Sequence, residues 1–199
     1  MNRHARRLAV AALLAAGIWV LATADGRGQQ DDKEVKEAKE AVTKLVNAMR
    51  QGGNAGPQAA EVAKKVEIEN LMIVFKPRNK GGFGVGPKPN TTTPAKDGIE
   101  QKIINMGRLR LKKDQVAQQK EPLIEMAERV QAIAEITQHY MPPKKAGANP
   151  ANWKKYAQEM KKSAQDFGGA VKGGDPMKIK AAATDLNAAC TNCHGDFRD

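Results

Sequence analysis

A chain of 199 residues is long enough for one ordinary domain, and its formal net charge of +11 makes it strongly basic. Aromatic residues make up only 4% of the chain, and no stretch shows the alternating β-branched pattern of a strand, so the composition argues against a β-sheet protein. A basic surface suits acidic partners. Nucleic acid is not expected as a partner, since the chain has no binding motif for it and begins like an exported protein.

The first 24 residues have the order of a secretory signal peptide. A basic head at residues 1–7 precedes an apolar run at 8–21, and the sequence ATA at 22–24 is a small-x-small cleavage site. The alternative is an uncleaved membrane anchor, but a run of about 14 residues is shorter than the roughly 20 needed to cross a bilayer. We therefore expect a periplasmic protein, cleaved near Ala24.

Four amphipathic helices are predicted from apolar residues that recur at steps of three and four. The first covers Lys33–Arg50 and is followed by a shorter piece at 58–70. The second covers Asp114–Tyr140, and Pro150 opens the third. The last begins at Asp175-Pro176, a capping acid followed by proline at the first helical position. Packing the apolar faces together predicts an all-α antiparallel four-helix bundle.

The segment at residues 71–112 does not fit this pattern. It begins with the apolar run Leu71 to Phe75 and continues into a stretch rich in glycine, proline and lysine. We predict an irregular insertion between the first and second bundle helices, with a short helix at Ile99–Met106. Its glycines, GGFGVG, superficially resemble a phosphate-binding loop, but neither the preceding strand nor the closing lysine-serine or lysine-threonine pair is present.

The only two cysteines, Cys190 and Cys193, stand directly before His194 in the sequence CTNCH. This Cys-x-x-Cys-His pattern is the attachment sequence of c-type haem. Two thioether bonds join both sulfurs to one edge of the porphyrin, and residues three apart on a helical turn can reach the same edge. His194, one turn after Cys190, can then ligate the iron.

Three other uses of these cysteines compete with haem attachment. A structural zinc site needs four ligands, but the chain has two cysteines and three histidines, one of them inside the predicted signal peptide. A redox-active dithiol is expected near a βαβ unit and at the start of a helix, whereas this pair lies at the end of an all-helical chain. A disulfide across two residues closes a small loop and stabilises little. One covalently attached haem c is therefore the prediction.

The position of the motif, on the last helix of a four-helix bundle, resembles the class II c-type cytochromes, the cytochrome c′ family. The resemblance is clearest over residues 149–199, where NPANWKKYAQEM is similar to the third helix of that family and GGDPMKIKAAATDLNAACTNCHGDFRD to its last. It implies that Cys190 and Cys193 bind haem and that His194 is the proximal iron ligand. Arg198 lies one turn after His194, where it can meet the proximal face or a propionate; the alternative is a solvated terminal arginine.

The distal side of the iron separates two functions. By the resemblance, the first bundle helix supplies either a methionine ligand, which favours electron transfer, or an apolar residue that leaves the iron open to nitric oxide or carbon monoxide. Met49 and Met72 are the candidate distal ligands. We expect a monohaem carrier of single electrons with acidic redox partner proteins, and the alternative is a five-coordinate gas-binding protein. An enzyme is not expected, since no distal histidine–arginine pair suits peroxide cleavage. The resemblance also suggests a homodimer.

Replacing both cysteines, Cys190→Ala with Cys193→Ala, removes the two thioether links, and we expect the exported variant to be colourless. The measurements are the visible absorbance of the purified protein and the mass of the mature polypeptide, which carries one haem in the wild type and none in the variant. A variant with the wild-type haem content after denaturation contradicts covalent attachment.

Overall fold

The structure is a computed structural model that describes residues 25–89 and 94–198. The described residues form seven α-helices and two short 3₁₀ segments without any strand, which confirms the all-helical class. The helices are α1 (Asp25–Arg50), α2 (Ala55–Ala63), α3 (Ile68–Ile73), α4 (Ile99–Arg108), α5 (Lys113–Thr137), α6 (Ala151–Gly173) and α7 (Pro176–Phe197). Within these two ranges, no helix has both the length and the apolar character required to span a bilayer. The predicted signal peptide lies outside the described residues.

The three longest helices of the C-terminal half pack side by side in chain order, α5 on α6 and α6 on α7. Trp153, at the start of α6, donates its indole N–H to the carbonyl of Thr137, at the end of α5, over 2.9 Å. The same indole ring meets Phe197, at the end of α7, with 5.1 Å between ring centroids. Because the start of α6 meets the ends of both neighbours, each pair is antiparallel.

The helix that packs along the other side of α7 is α4. The hydroxyl of Thr184 donates to the carbonyl of Gly107 over 3.3 Å. Arg110, just after α4, contacts the sulfur of Met177, near the start of α7, at 3.5 Å. Residue numbers therefore fall along α7 as they rise along α4, so these helices are also antiparallel.

The helix predicted as the first of the bundle, Lys33–Arg50, is not the helix that packs along α7 beside α6; α4 is. The predicted helix forms most of α1, which packs on α2, α3 and α5. Its apolar face is buried as the periodicity predicts, with Val42 and Leu45 almost inaccessible. The apolar faces of α5, α6 and α7 join the same core. Sequence periodicity thus identified the buried face of α1, and the structure shows that this face covers α5.

The segment predicted as an irregular insertion contains α4 and a loop closed by a buried ion pair. Arg78 and Asp97 are 2.6 Å apart, and Asp97 is only 4% exposed. Gly84, in the glycine-rich stretch, has a φ of +68°, and an added Cβ would lie 2.6 Å from both of these side chains. Only glycine fits there, because it has no Cβ and tolerates positive φ. The glycines of this stretch therefore allow a loop to close over the ion pair.

We expect Gly107→Leu to destabilise the fold by about 1–3 kcal/mol, because a larger side chain forces α4 away from α7. Even a Cβ at this position would lie 3.2 Å from the hydroxyl oxygen of Thr184. The measurement is urea denaturation followed by circular dichroism.

The matched control is Gly169→Leu in α6, where no atom lies within 4 Å of an added Cβ. Leucine is a better helix former than glycine, so this variant should equal or exceed the wild type in stability by up to about 1 kcal/mol. Identical midpoints for the two variants would contradict the tight packing of α4 on α7.

Candidate haem attachment site

α7 carries the Cys-x-x-Cys-His motif in its last two turns. Asp175 caps the start of the helix, where its carboxylate accepts the N–H of Met177 over 2.8 Å. The helix then continues without a break to Phe197. Since one helical turn takes about 3.6 residues, Cys190 and His194 lie on the same side of α7.

The motif interrupts the buried face of α7. That face is fully buried at Leu186 and buried again at Phe197. Between these two positions, Cys190 and Cys193 are only partly buried and His194 is exposed. The side chain of Cys190 still packs against the hydrophobic core. The motif therefore lies at the border between core and solvent, with Cys190 on the core side.

The start of α6 holds the residues that follow His194 in place. Phe197 packs edge-on against Trp153 and Tyr156, with ring centroids 5.1 and 6.4 Å away. The hydroxyl of Tyr156 donates to the carboxylate of Asp196 over 2.8 Å. These contacts anchor the last turn of α7, so the position of the His194 backbone is fixed relative to α6.

The surroundings of both cysteines favour the neutral thiol over the thiolate. Burial raises the pKa of Cys190 to about 12, with a further contribution from Cys193. Burial also raises the pKa of Cys193 to about 11, and the charge of Asp196 adds to the effect. A catalytic dithiol needs the opposite, a thiolate with a lowered pKa. The raised pKa values therefore disfavour a dithiol redox site.

The surroundings of the cysteines fit thioether attachment better than metal coordination by thiolates. Neither cysteine forms a disulfide. Across residues 25–89 and 94–198, no three or more histidine, cysteine, aspartate or glutamate side chains are grouped so that they could hold a metal ion. Two free thiols and an exposed imidazole on one side of a helix match the donor set for covalent haem.

The first turn of α4 lies level with the motif. Gly107 on α4 is paired with Thr184 on α7, and the two helices are antiparallel. Glu100 precedes Gly107 by seven residues, so it lies level with the position seven residues after Thr184, between Cys190 and His194. The charge of Glu100 accordingly acts on both side chains. Burial is the main cause that lowers the pKa of His194, and Glu100 acts in the opposite direction.

Arg198 caps the end of α7 and has an exposed side chain. Its backbone N–H donates to the carbonyl of His194 over 3.0 Å. After burial, the charge of Arg198 is the next cause of the lowered pKa of His194. Arg198 is thus close to His194, and its predicted contact with haem stays a prediction.

The two candidate distal methionines belong to other helices. Met49 lies in the last turn of α1 and Met72 in α3, and both side chains are partly buried against the core. Neither helix is among those that pack along α7. Met106, on α4, is next to Gly107 and hence about 15 Å along α7 from the level of His194. Distal ligation by Met49 or Met72 stays a prediction.

Glu100 and its partner Lys76 are site residues that sequence reasoning missed. Their side chains form an ion pair at 3.0 Å. Both come from the segment that composition marks as an irregular insertion, and the separation between them in sequence gives no sign of their proximity to Cys190. The signal that could have found Glu100 is the short amphipathic helix at Ile99–Met106, had it been assigned to the bundle.

The family model described as Cytochrome C′ matches residues 99–198. The match begins at the first residue of α4 and includes α5, α6 and α7, and it contains the whole motif. Searches of curated proteins and of solved structures returned no match.

We expect Phe197→Ala to destabilise the protein by about 3 kcal/mol, because the substitution removes a buried ring from the contact between α6 and α7. Arg198→Ala, at the exposed neighbouring position, should change the free energy of unfolding by less than about 0.5 kcal/mol. Thermal unfolding followed by circular dichroism measures both. A wild-type melting temperature for Phe197→Ala would show that the aromatic cluster does not anchor the end of α7.

Proposed function

The chain belongs to the cytochrome c′ family, and on that basis we propose that it is an exported monohaem cytochrome that carries single electrons. Cys190 and Cys193 hold haem c through two thioether bonds, and His194 is the proximal ligand. When bound, the haem supplies a one-electron couple between ferric and ferrous iron. The observation that carries the proposal is the complete attachment motif at the solvent border of the last bundle helix.

The exposure of the motif favours electron exchange with another protein. His194 and Arg198 are exposed and Cys193 is partly exposed, so a partner can approach this end of α7 without opening the bundle. Lys145 lies here too, and its ammonium donates to the carbonyl of Arg198. Cations at the contact surface attract negatively charged proteins and speed their association. Acidic redox partner proteins are the proposed partners.

Export to the periplasm is proposed from residues 1–24 and from the family. The basic, apolar and small-residue parts of this segment follow the order of a cleavable signal. Cleavage near Ala24 leaves a mature chain that begins with α1.

Gas binding is a second candidate function, and one observation favours it. On α4, the helix beside the motif, Ile99 and Ile103 are buried. Isoleucine has no atom that can ligate iron. Met106, the methionine of α4, lies level with Thr184 and not with His194. A distal side formed by α4 would therefore be apolar and leave a position for carbon monoxide or nitric oxide. We propose no catalytic activity for either the electron carrier or the gas-binding protein. A homodimer stays an expectation from the resemblance.

The optical spectrum of the reduced protein with and without carbon monoxide separates these functions. For the electron carrier with a methionine at the iron, we expect no change on adding the gas, because the sixth position is filled. The midpoint potential should titrate reversibly as a one-electron couple. A prompt shift of the main haem band on mixing would contradict the ligated carrier and support gas binding.

If the protein is an electron carrier with a methionine at the iron, the variants Met49→Leu and Met72→Leu identify which methionine is the ligand. If either methionine binds the iron, its replacement opens the position to carbon monoxide and lowers the midpoint potential. Met160→Leu, on α6, is the control. Identical spectra for all three variants would exclude Met49 and Met72.

A further inference from the structure

We propose that Lys76 and Glu100 form a charged pair at the haem attachment end of α7 and set the reduction potential of the iron. This inference rests on the proposed function, since the couple exists only if haem is attached at Cys190 and Cys193. Lys76 lies outside the segment that matches the family model, residues 99–198. The proposal thus gives the N-terminal part of the chain a role in tuning the cofactor.

Backbone contacts fix the pair at the start of α4. The ammonium of Lys76 is 3.0 Å from the carboxylate of Glu100. The backbone N–H of Glu100 donates to the carbonyl of Phe75 over 3.3 Å. At Gly98, the residue before α4, an added Cβ would lie 2.9 Å from the backbone nitrogen of Pro77. Residues 75–77 therefore lie directly on the first turn of α4, and the pair does not depend on side-chain contacts alone.

The antiparallel packing of α4 on α7 brings this pair to the motif. Thr184 and Gly107 fix the register of the two helices through a 3.3 Å hydrogen bond. In that register, Glu100 is level with the turn that joins Cys190 to His194. Lys76, held at 3.0 Å from Glu100, is brought to the same end of α7.

The two charges have opposite effects on a one-electron couple. Reduction of ferric to ferrous iron adds one negative charge to the site, so a nearby cation stabilises the reduced state and a nearby anion stabilises the oxidised state. The side chains of Lys76 and Glu100 are 40% and 47% exposed, so solvent screens them in part. At a separation on the order of 10 Å, such a charge changes an equilibrium constant by about two- to tenfold.

The experiment is a redox titration of the haem-loaded protein and two single variants. Lys76→Met removes the cation at similar length and should lower the equilibrium constant for reduction by about two- to tenfold. Glu100→Gln removes the anion and should raise it by a similar factor. A tenfold change corresponds to a shift of about 59 mV for a one-electron couple.

The matched controls remove the same charges from another exposed ion pair. Lys64 and Glu61 are 2.6 Å apart at the end of α2, a helix that packs on α5 and α1 and not along α7. Lys64→Met and Glu61→Gln should leave the potential unchanged. The double variant Lys76→Met with Glu100→Gln should return close to the wild-type potential, since the two effects oppose each other.

Opposite shifts in the two single variants, with unchanged controls, support the proposal. Equal shifts in the control variants, or no shift in either test variant, overturn it. A purely structural role would move both test variants in the same direction and lower their melting temperatures, which also overturns it. Wild-type protein without a haem spectrum would refute the proposed function itself, and that result is visible before any variant is titrated.

Discussion

The close contact between Gly107 and Thr184 determines which helices surround the haem attachment motif. Because Gly107 has no side chain, the backbone of α4 approaches α7 closely enough to accept a hydrogen bond from the threonine hydroxyl. α4 has only ten residues, and a helix of that length is marginal by itself in water. Its stability therefore comes from this packing, and so does the placement of Glu100 beside the motif.

The N-terminal helices and the glycine-rich loop brace the short α4. Residues 75–77 cover its start, and the buried pair of Arg78 and Asp97 closes the loop just before it. Phe83, in the same loop, lies 4.3 Å below the guanidinium of Arg129 on α5. A buried ion pair is costly unless its geometry is good, but breaking it leaves an uncompensated charge. The loop is thus held at the start of α4 and against α5, which explains how a glycine-rich segment takes one defined conformation.

Short sequence motifs predicted those features that depend only on neighbouring residues, such as the start of a helix and the type of cofactor. Asp175-Pro176 marked the start of α7, and the spacing of the cysteines before His194 indicated the type of cofactor. Periodicity also predicted the buried face of α1. A periodic pattern indicates that a helix face is buried, but it does not indicate which helix packs on it. The partner of α7 depends on a glycine that sequence reading treats as a helix breaker, and on the ion pairs Arg78–Asp97 and Lys76–Glu100, whose members are distant in sequence.

The apolar and charged parts of α4 act on different properties of one site. Ile99 and Ile103 present no atom that ligates iron, so a haem held by Cys190, Cys193 and His194 with α4 on its distal side would receive no ligand from these two residues. Its reduction potential would then depend more strongly on nearby charge and on exposure. Glu100 and Lys76 supply adjustable charge, and residues 75–77 hold that charge against the helix that shapes the wall. Any displacement of this segment would separate Lys76 from Glu100 and also release the start of α4. Under the proposed function, the stability of the N-terminal part and the reduction potential would therefore be physically coupled.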